Sequence, residues 1–208
     1  MNLRKGIIVN KKHIVFFSFV VLSTSILAVA YNNKDVSRPK EKTIDQIANQ
    51  IILELAGNAK KKYDLQLEGS GGGGVYGLNL LKVVFTGSKE LFPDEAREVL
   101  VDISLQFLHL INSSKVFETR LACFPFSSSN IVVMIGFLKE DCTPPSNSYI
   151  SFMFLSEGKN CYKIGGGELG RFENAGRETF EEAVAIVANS QNLELSKRAK
   201  EYLLSHAK

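Results

Sequence analysis

The sequence predicts an α+β domain, a small antiparallel sheet of four to five strands packed with three to four helices and preceded by an N-terminal hydrophobic segment. Three observations carry that reading. Apolar residues recur at helical spacing in several stretches, two of which open on capping residues. Between them lie runs rich in Val, Ile and Phe, bounded by Gly, Pro and Asn. The order of the two kinds, α-β-β-α-β-β-β-α, ends in three strands joined by short turns. Such strands form an antiparallel meander with helices on one face.

The first segment reads as an address. Arg4, Lys5, Lys11 and Lys12 precede the apolar run Ile14 to Ala30, and no acid occurs before Asp35. The run ends Ala28-Val29-Ala30, with small residues at the two positions a signal peptidase reads. It is slightly long for a signal core and slightly short for a span of ~20 residues. Cleavage after Ala30 and retention as an anchor with its basic end in the cytoplasm are both open. Either one exports the rest. Residues 31–42 are polar, contain Pro39 and read as a linker, so the expected domain is 43–208.

Thr43 is a good N-cap for a first helix, whose stripe is Ile44, Ile47, Ala48, Ile51, Ile52 and Leu55 and which runs to about Lys61. The cluster Lys60-Lys61-Lys62 suits its negative end and reads as a solvated face. Tyr63 to Glu68 is a weak short strand, interrupted by the glycines of 69–74. Val75 to Thr86 reads as a strand. Pro93, Asp94 and Glu95 open a second helix, which carries Val99, Leu100, Ile103 and Phe107 on its stripe and stops near Asn112. Arg120 to Ser129 reads as a loop. Asn130 to Leu138 is almost continuously apolar, as in a central strand. Tyr149 to Leu155 and Cys161 to Ile164 are the last two strands, joined by a turn at Glu157 to Asn160. The sheet ends at Gly165-Gly166-Gly167, and Glu168 to Arg177 reads as irregular. Thr179 and Glu182 form a capping box that starts the third helix. Residues 192–205 carry a short fourth one.

Composition narrows the function classes. The whole chain carries 25 basic and 22 acidic residues, but without residues 1–30 the balance is 21 to 22. A nearly neutral exported domain lacks the basic face that nucleic-acid binding needs. Cys123, Cys142 and Cys161 are three, so at most one internal pair forms. Cys142 and Cys161 fall at opposite ends of the meander, too far apart to bridge. Cys123–Cys161 is therefore the candidate disulfide, against the blander reading of unpaired buried thiols. No Cys or His spacing fits a metal site, and no cofactor motif appears.

The weak site candidates are few. Gly69, Ser70, Gly71 and Gly72 lack the following helix and lysine of a phosphate loop. They and Gly165, Gly166 and Gly167 admit close backbone approach of a ligand if the two clusters meet at one sheet end. His109 and Cys123 are the weak candidates for a base and a thiol nucleophile, with no third group to orient them. Phe124 and Phe126, around Pro125, are either core plugs or, if exposed, an interaction patch.

Three stretches carry a resemblance. They are Lys62-Tyr63-Asp64-Leu65 leading into Gly69-Ser70-Gly71-Gly72; Leu121 with Pro125-Phe126 and Asn130-Ile131-Val132-Val133; and Glu178-Thr179-Phe180-Glu181-Glu182-Ala183. Across roughly 44–190 the chain resembles an uncharacterised family of proteins from chlamydia-like bacteria. It departs from that family in its longer glycine run and in Val75-Tyr76, where methionines are expected. The resemblance implies a shared fold and a bacterial, host-associated origin, and supplies no catalytic residues. The sequence thus predicts an exported or membrane-anchored bacterial protein with a non-enzymatic interaction or structural domain of the cell envelope. Its expected partner is an envelope or host protein, with the membrane reached through 14–30 if these are uncleaved. A small envelope hydrolase and a secreted effector acting on a host are the alternatives.

Overall fold

Thr43 starts α1 (Ile44–Tyr63) through a reciprocal cap, in which its hydroxyl accepts from the Gln46 N–H and the Gln46 side chain accepts from its own N–H. The chain turns at Asp64, in the left-handed region, into an edge hairpin of β1 (Gln66–Gly73) and β2 (Leu80–Gly87). The computed structural model describes residues 42–74, 78–121, 123–165 and 171–206. The expected signal or anchor, residues 31–41 of the expected linker, Val75, Tyr76, Gly166 and Gly167 lie outside these. The described residues fall in one unit, Glu41–Lys208.

After β2, Pro93 opens α2 (Pro93–Asn112), where the Glu95 carboxylate accepts from the Phe92 N–H. A short α3 (Lys115–Arg120) follows, and the two lead into β3 (Ile131–Phe137), which lies parallel to β2. β4 (Phe152–Ser156), β5 (Lys159–Gly165) and β6 (Phe172–Thr179) then complete an antiparallel meander. The Thr179/Glu182 capping box launches α4 (Phe180–Val187), and α5 (Leu193–His206) ends the described chain. The strand order is β1-β2-β3-β4-β5-β6.

The α+β class is as the sequence predicts, with differences in detail. The sheet has six strands and is mixed, because the chain crosses over through α2 and α3 and returns beside β2 in the same direction. The glycines of 69–73 are strand and not an interruption. Pairing with β2, as in Gly71 opposite Lys82, holds a side-chain-free backbone extended. β2 begins at Leu80, with Leu78 and Asn79 outside it. The stretch expected to be irregular holds β6, an edge strand whose residues 172–175 are all exposed. Such a strand has no apolar alternation to display. Five α-helices lie among the described residues, α3 being the one beyond the four expected.

Alternation on β3 decides which face is core. Ile131, Val133, Ile135 and Phe137 are buried, while Val132, Met134 and Gly136 are half-buried. Leu81, Val83 and Phe85 on β2, and Met153 and Leu155 on β4, join the buried set in one cluster with the stripes of α1, α2, α4 and α5. The helices therefore cover one face. Among the described residues, no helix is long and apolar enough to cross a membrane.

Candidate interaction surface

The other face is where sequence and packing disagree. β3 and β4 are apolar at both parities, Ile131-Val132-Val133-Met134-Ile135 and Phe152-Met153-Phe154-Leu155. Strands of that kind belong to sheets covered on both faces. Here the core cluster takes in only one parity. The registers place half-buried Val84, Met134 and Phe154 and buried Cys161 in one cross-strand row on the face that none of the described helices covers. Phe152 stands between Phe154, at 5.6 Å between ring centres, and Phe172, at 6.1 Å. Phe172 is 41% exposed. Lys82, Lys159, Lys163 and Arg177 stand on the same face at its flanks. A contiguous apolar patch with a polar rim is the signature of a surface that meets something.

Two buried polar clusters hold the helical layer behind that sheet. Asp102 on α2 is fully buried. Its carboxylate accepts from Lys62 at 2.9 Å, from the Tyr63 hydroxyl at 2.7 Å and from Gln106 at 2.8 Å, and pairs with Arg198 of α5. Burial first, then the charge and hydrogen bond of Asp102, push the Tyr63 phenol well above its ordinary range. Glu178 on β6 accepts from Arg97 at 2.8 Å and from the Tyr162 hydroxyl at 2.7 Å. Burial and then Glu178 push Tyr162 up in the same way. Burial works against the charge of Arg97, but its hydrogen bonds to Glu178 and Asp94 outweigh that and raise its pKa. Every member is committed to a partner, so these clusters are staples joining elements.

A cleft of about 270 Å³ lies where α2 starts, bounded by Leu65 and Phe137 and by Lys62, Tyr63, Lys89 and Glu95. Three of its polar groups are already engaged, Lys62 and Tyr63 by Asp102 and Glu95 by the Phe92 N–H.

The residues singled out in the sequence are scattered. His109 is exposed on α2, and its side chain makes no hydrogen bond among the described residues. Cys123 is exposed beyond α3 and makes none either. A thiol and its base must lie within hydrogen-bond reach, and these two do not meet. Gly69, Ser70, Gly71 and Gly72 sit on β1 at one sheet edge, while Gly165 ends β5 with φ 83°. Four strand spacings of ~4.8 Å separate those strands, so the described glycines do not converge on one ligand. The expected Cys123–Cys161 disulfide is not formed. All three thiols are free, and Cys161 sits mid-strand with Phe154 and Arg177 as its neighbours, away from the chain before β3. Phe126 is 1% exposed and Phe124 packs on the core, so this loop is a plug and not a contact patch. Asn112 clamps it by donating to the Phe126 carbonyl and accepting from its N–H, both at 2.8 Å. Among the described residues, no group of three His, Cys, Asp or Glu side chains converges to hold a metal ion.

Apart from Cys161, the open-face residues are not among the candidates the sequence offers, yet a signal is present in it. A strand apolar at both parities requires two covering layers, and the helical stripes suffice for one. No protein family, curated protein or solved structure matches the chain.

Proposed function

We propose that the protein is an exported or membrane-anchored bacterial protein whose folded unit is a non-enzymatic interaction module of the cell envelope, akin to the uncharacterised chlamydia-like family. The surface it uses is the open face of the sheet. One observation carries the reading, the cross-strand row Val84, Met134, Phe154 and Cys161, which the core cluster omits. Water against the exposed part of Val84, Met134 and Phe154 is unfavourable by ~25 cal/mol per Å² of apolar surface, and a partner removes that contact.

Two measurements test it. A photo-crosslinking residue is placed at Phe154, and in a second version at Glu54 on the exposed side of α1, in the natively expressed full chain. A discrete protein adduct from the Phe154 position alone is the expected result. Adducts from both positions alike, or from neither, overturn the open face as the contact surface. Intact mass with fractionation tests export. A soluble species starting at Tyr31 indicates release, and a full-length species in the membrane indicates a tether. A full-length species in the cytoplasm overturns export.

A further inference from the structure

The open face is lopsided in charge over β4, β5 and β6. A shallow groove of about 410 Å³ there has Phe154 and Cys161 as its floor and Lys159, Lys163 and Arg177 on its walls, against the single acid Glu157. Lys159 and Arg177 make no ion pair among the described residues. Lys163 makes only a long hydrogen bond, 3.4 Å, to Asn174. Three cations around an apolar floor repel one another, and an anionic occupant relieves that repulsion while covering the floor.

The registers give the spacing such an occupant needs. Phe154, Cys161 and Arg177 form a row across the strands. Lys159 and Lys163 stand two residues to either side of Cys161 on the same face of β5. At ~3.3 Å per residue they are about 13 Å apart. An extended chain has the same repeat. Its residues i and i+4 fall over the two lysines, and residue i+2 falls over Phe154 and Cys161. A helix reaches that spacing only with acids about eight or nine residues apart, at ~1.5 Å per residue.

Resting on the open face as the interaction surface, we infer that this groove receives an extended acidic segment of a partner protein. The segment carries carboxylates at i and i+4 and an apolar residue at i+2, and it runs along β5 with Arg177 reaching a third acceptor, a backbone carbonyl or an acid beside i+2.

The test uses a labelled peptide, Gly-Ser-Glu-Ser-Leu-Ser-Glu-Ser-Gly, with a photoreactive leucine at its centre, and the full chain as expressed. Expected is saturable binding that weakens with added salt, with adducts mapping to β4–β6. Lys159→Glu and Arg177→Glu, both at exposed positions, each weaken binding about tenfold. The same peptide with Lys in place of both Glu does not bind. No saturable binding, equal binding of the lysine peptide, or adducts outside β4–β6 each overturn the inference. Binding of phosphatidylglycerol vesicles that is lost with the same variants, in the absence of peptide binding, also overturns it and assigns the groove to a membrane. Self-association lost with those variants assigns it to a second copy, and overturns it too. If the Phe154 crosslink persists while the charge variants change nothing, the inference fails and the open-face reading stands. If the Phe154 crosslink is absent as well, both fail.

Discussion

Asp102 is the residue on which three helices meet. A fully buried carboxylate is costly unless paired and hydrogen-bonded, and this one is met by Lys62 and Tyr63 from α1, Gln106 from its own helix and Arg198 from α5. Asp102→Ala removes the common acceptor. Lys62 and Arg198 keep 34% and 29% of their side-chain surface in water and rehydrate in part, which softens the loss. The expected destabilisation is about 2–4 kcal/mol in urea unfolding, and a change under ~0.5 kcal/mol would sink the staple reading. The sequence shows half of this site. An acid between Val101 and Ile103 on an apolar stripe is visible as a mismatch. Its long-range partners Tyr63, Lys62 and Arg198 are not, because they lie 39, 40 and 96 residues away in the chain. The Thr179/Glu182 box is legible for the opposite reason. Its two ends are three residues apart, and the hydrogen bonds Glu182 accepts from the Thr179 N–H and hydroxyl hold that carboxyl below its usual range.

At the scale of the element, β1 separates glycines that look alike in sequence. A Cβ built at Gly71 meets nothing within 4 Å. At Gly72 it lies 2.6 Å from Leu78 and 3.1 Å from the Leu80 carbonyl oxygen, which is backbone and cannot swing away. Gly71→Val is therefore expected to be neutral or mildly stabilising, since valine favours strands and the glycine loses more chain entropy. Gly72→Val costs about 1–3 kcal/mol by overpacking. Thermal unfolding of the two variants side by side checks this, and equal midpoints would contradict the register. That contrast was illegible in the run of glycines because it depends on which parity faces Leu81. β6 was illegible for a related reason. An edge strand with most residues in water needs no apolar pattern, so Phe172-Glu173-Asn174-Ala175 reads as loop. The central β3, apolar throughout, was plain.

Across the whole molecule, α2 is the tie. Arg97 in its first turns holds β6 through Glu178, and Asp102 one turn on holds α1 and α5, so the part-buried Tyr63 and the buried Tyr162 report on the same helix. None of this long-range wiring, nor the parallel β2–β3 pair, has a local signature; the fold class and most element types do. The wiring has a consequence in alkali. A free tyrosine ionises near pH 10. In the folded protein, burial and then Asp102 hold Tyr63 neutral above that, and burial and then Glu178 do so for Tyr162. Tyr202 is pushed up to about 12, by burial first and then by Glu181. Raised folded pKa values mean that the folded state keeps protons the unfolded chain releases. Their contribution is complete below about pH 10 and is lost as pH rises beyond it, by at most ~1.4 kcal/mol per pH unit for each phenol. Stability is therefore expected to fall as pH rises above about 10. Replacing Tyr63 and Tyr162 together by Phe lowers stability at neutral pH, because Asp102 and Glu178 each lose a donor, but it flattens the alkaline limb. Unfolding midpoints of the two proteins from about pH 8 to about pH 11 should thus converge as pH rises. Parallel curves would show that neither phenol is held neutral by the acid it faces.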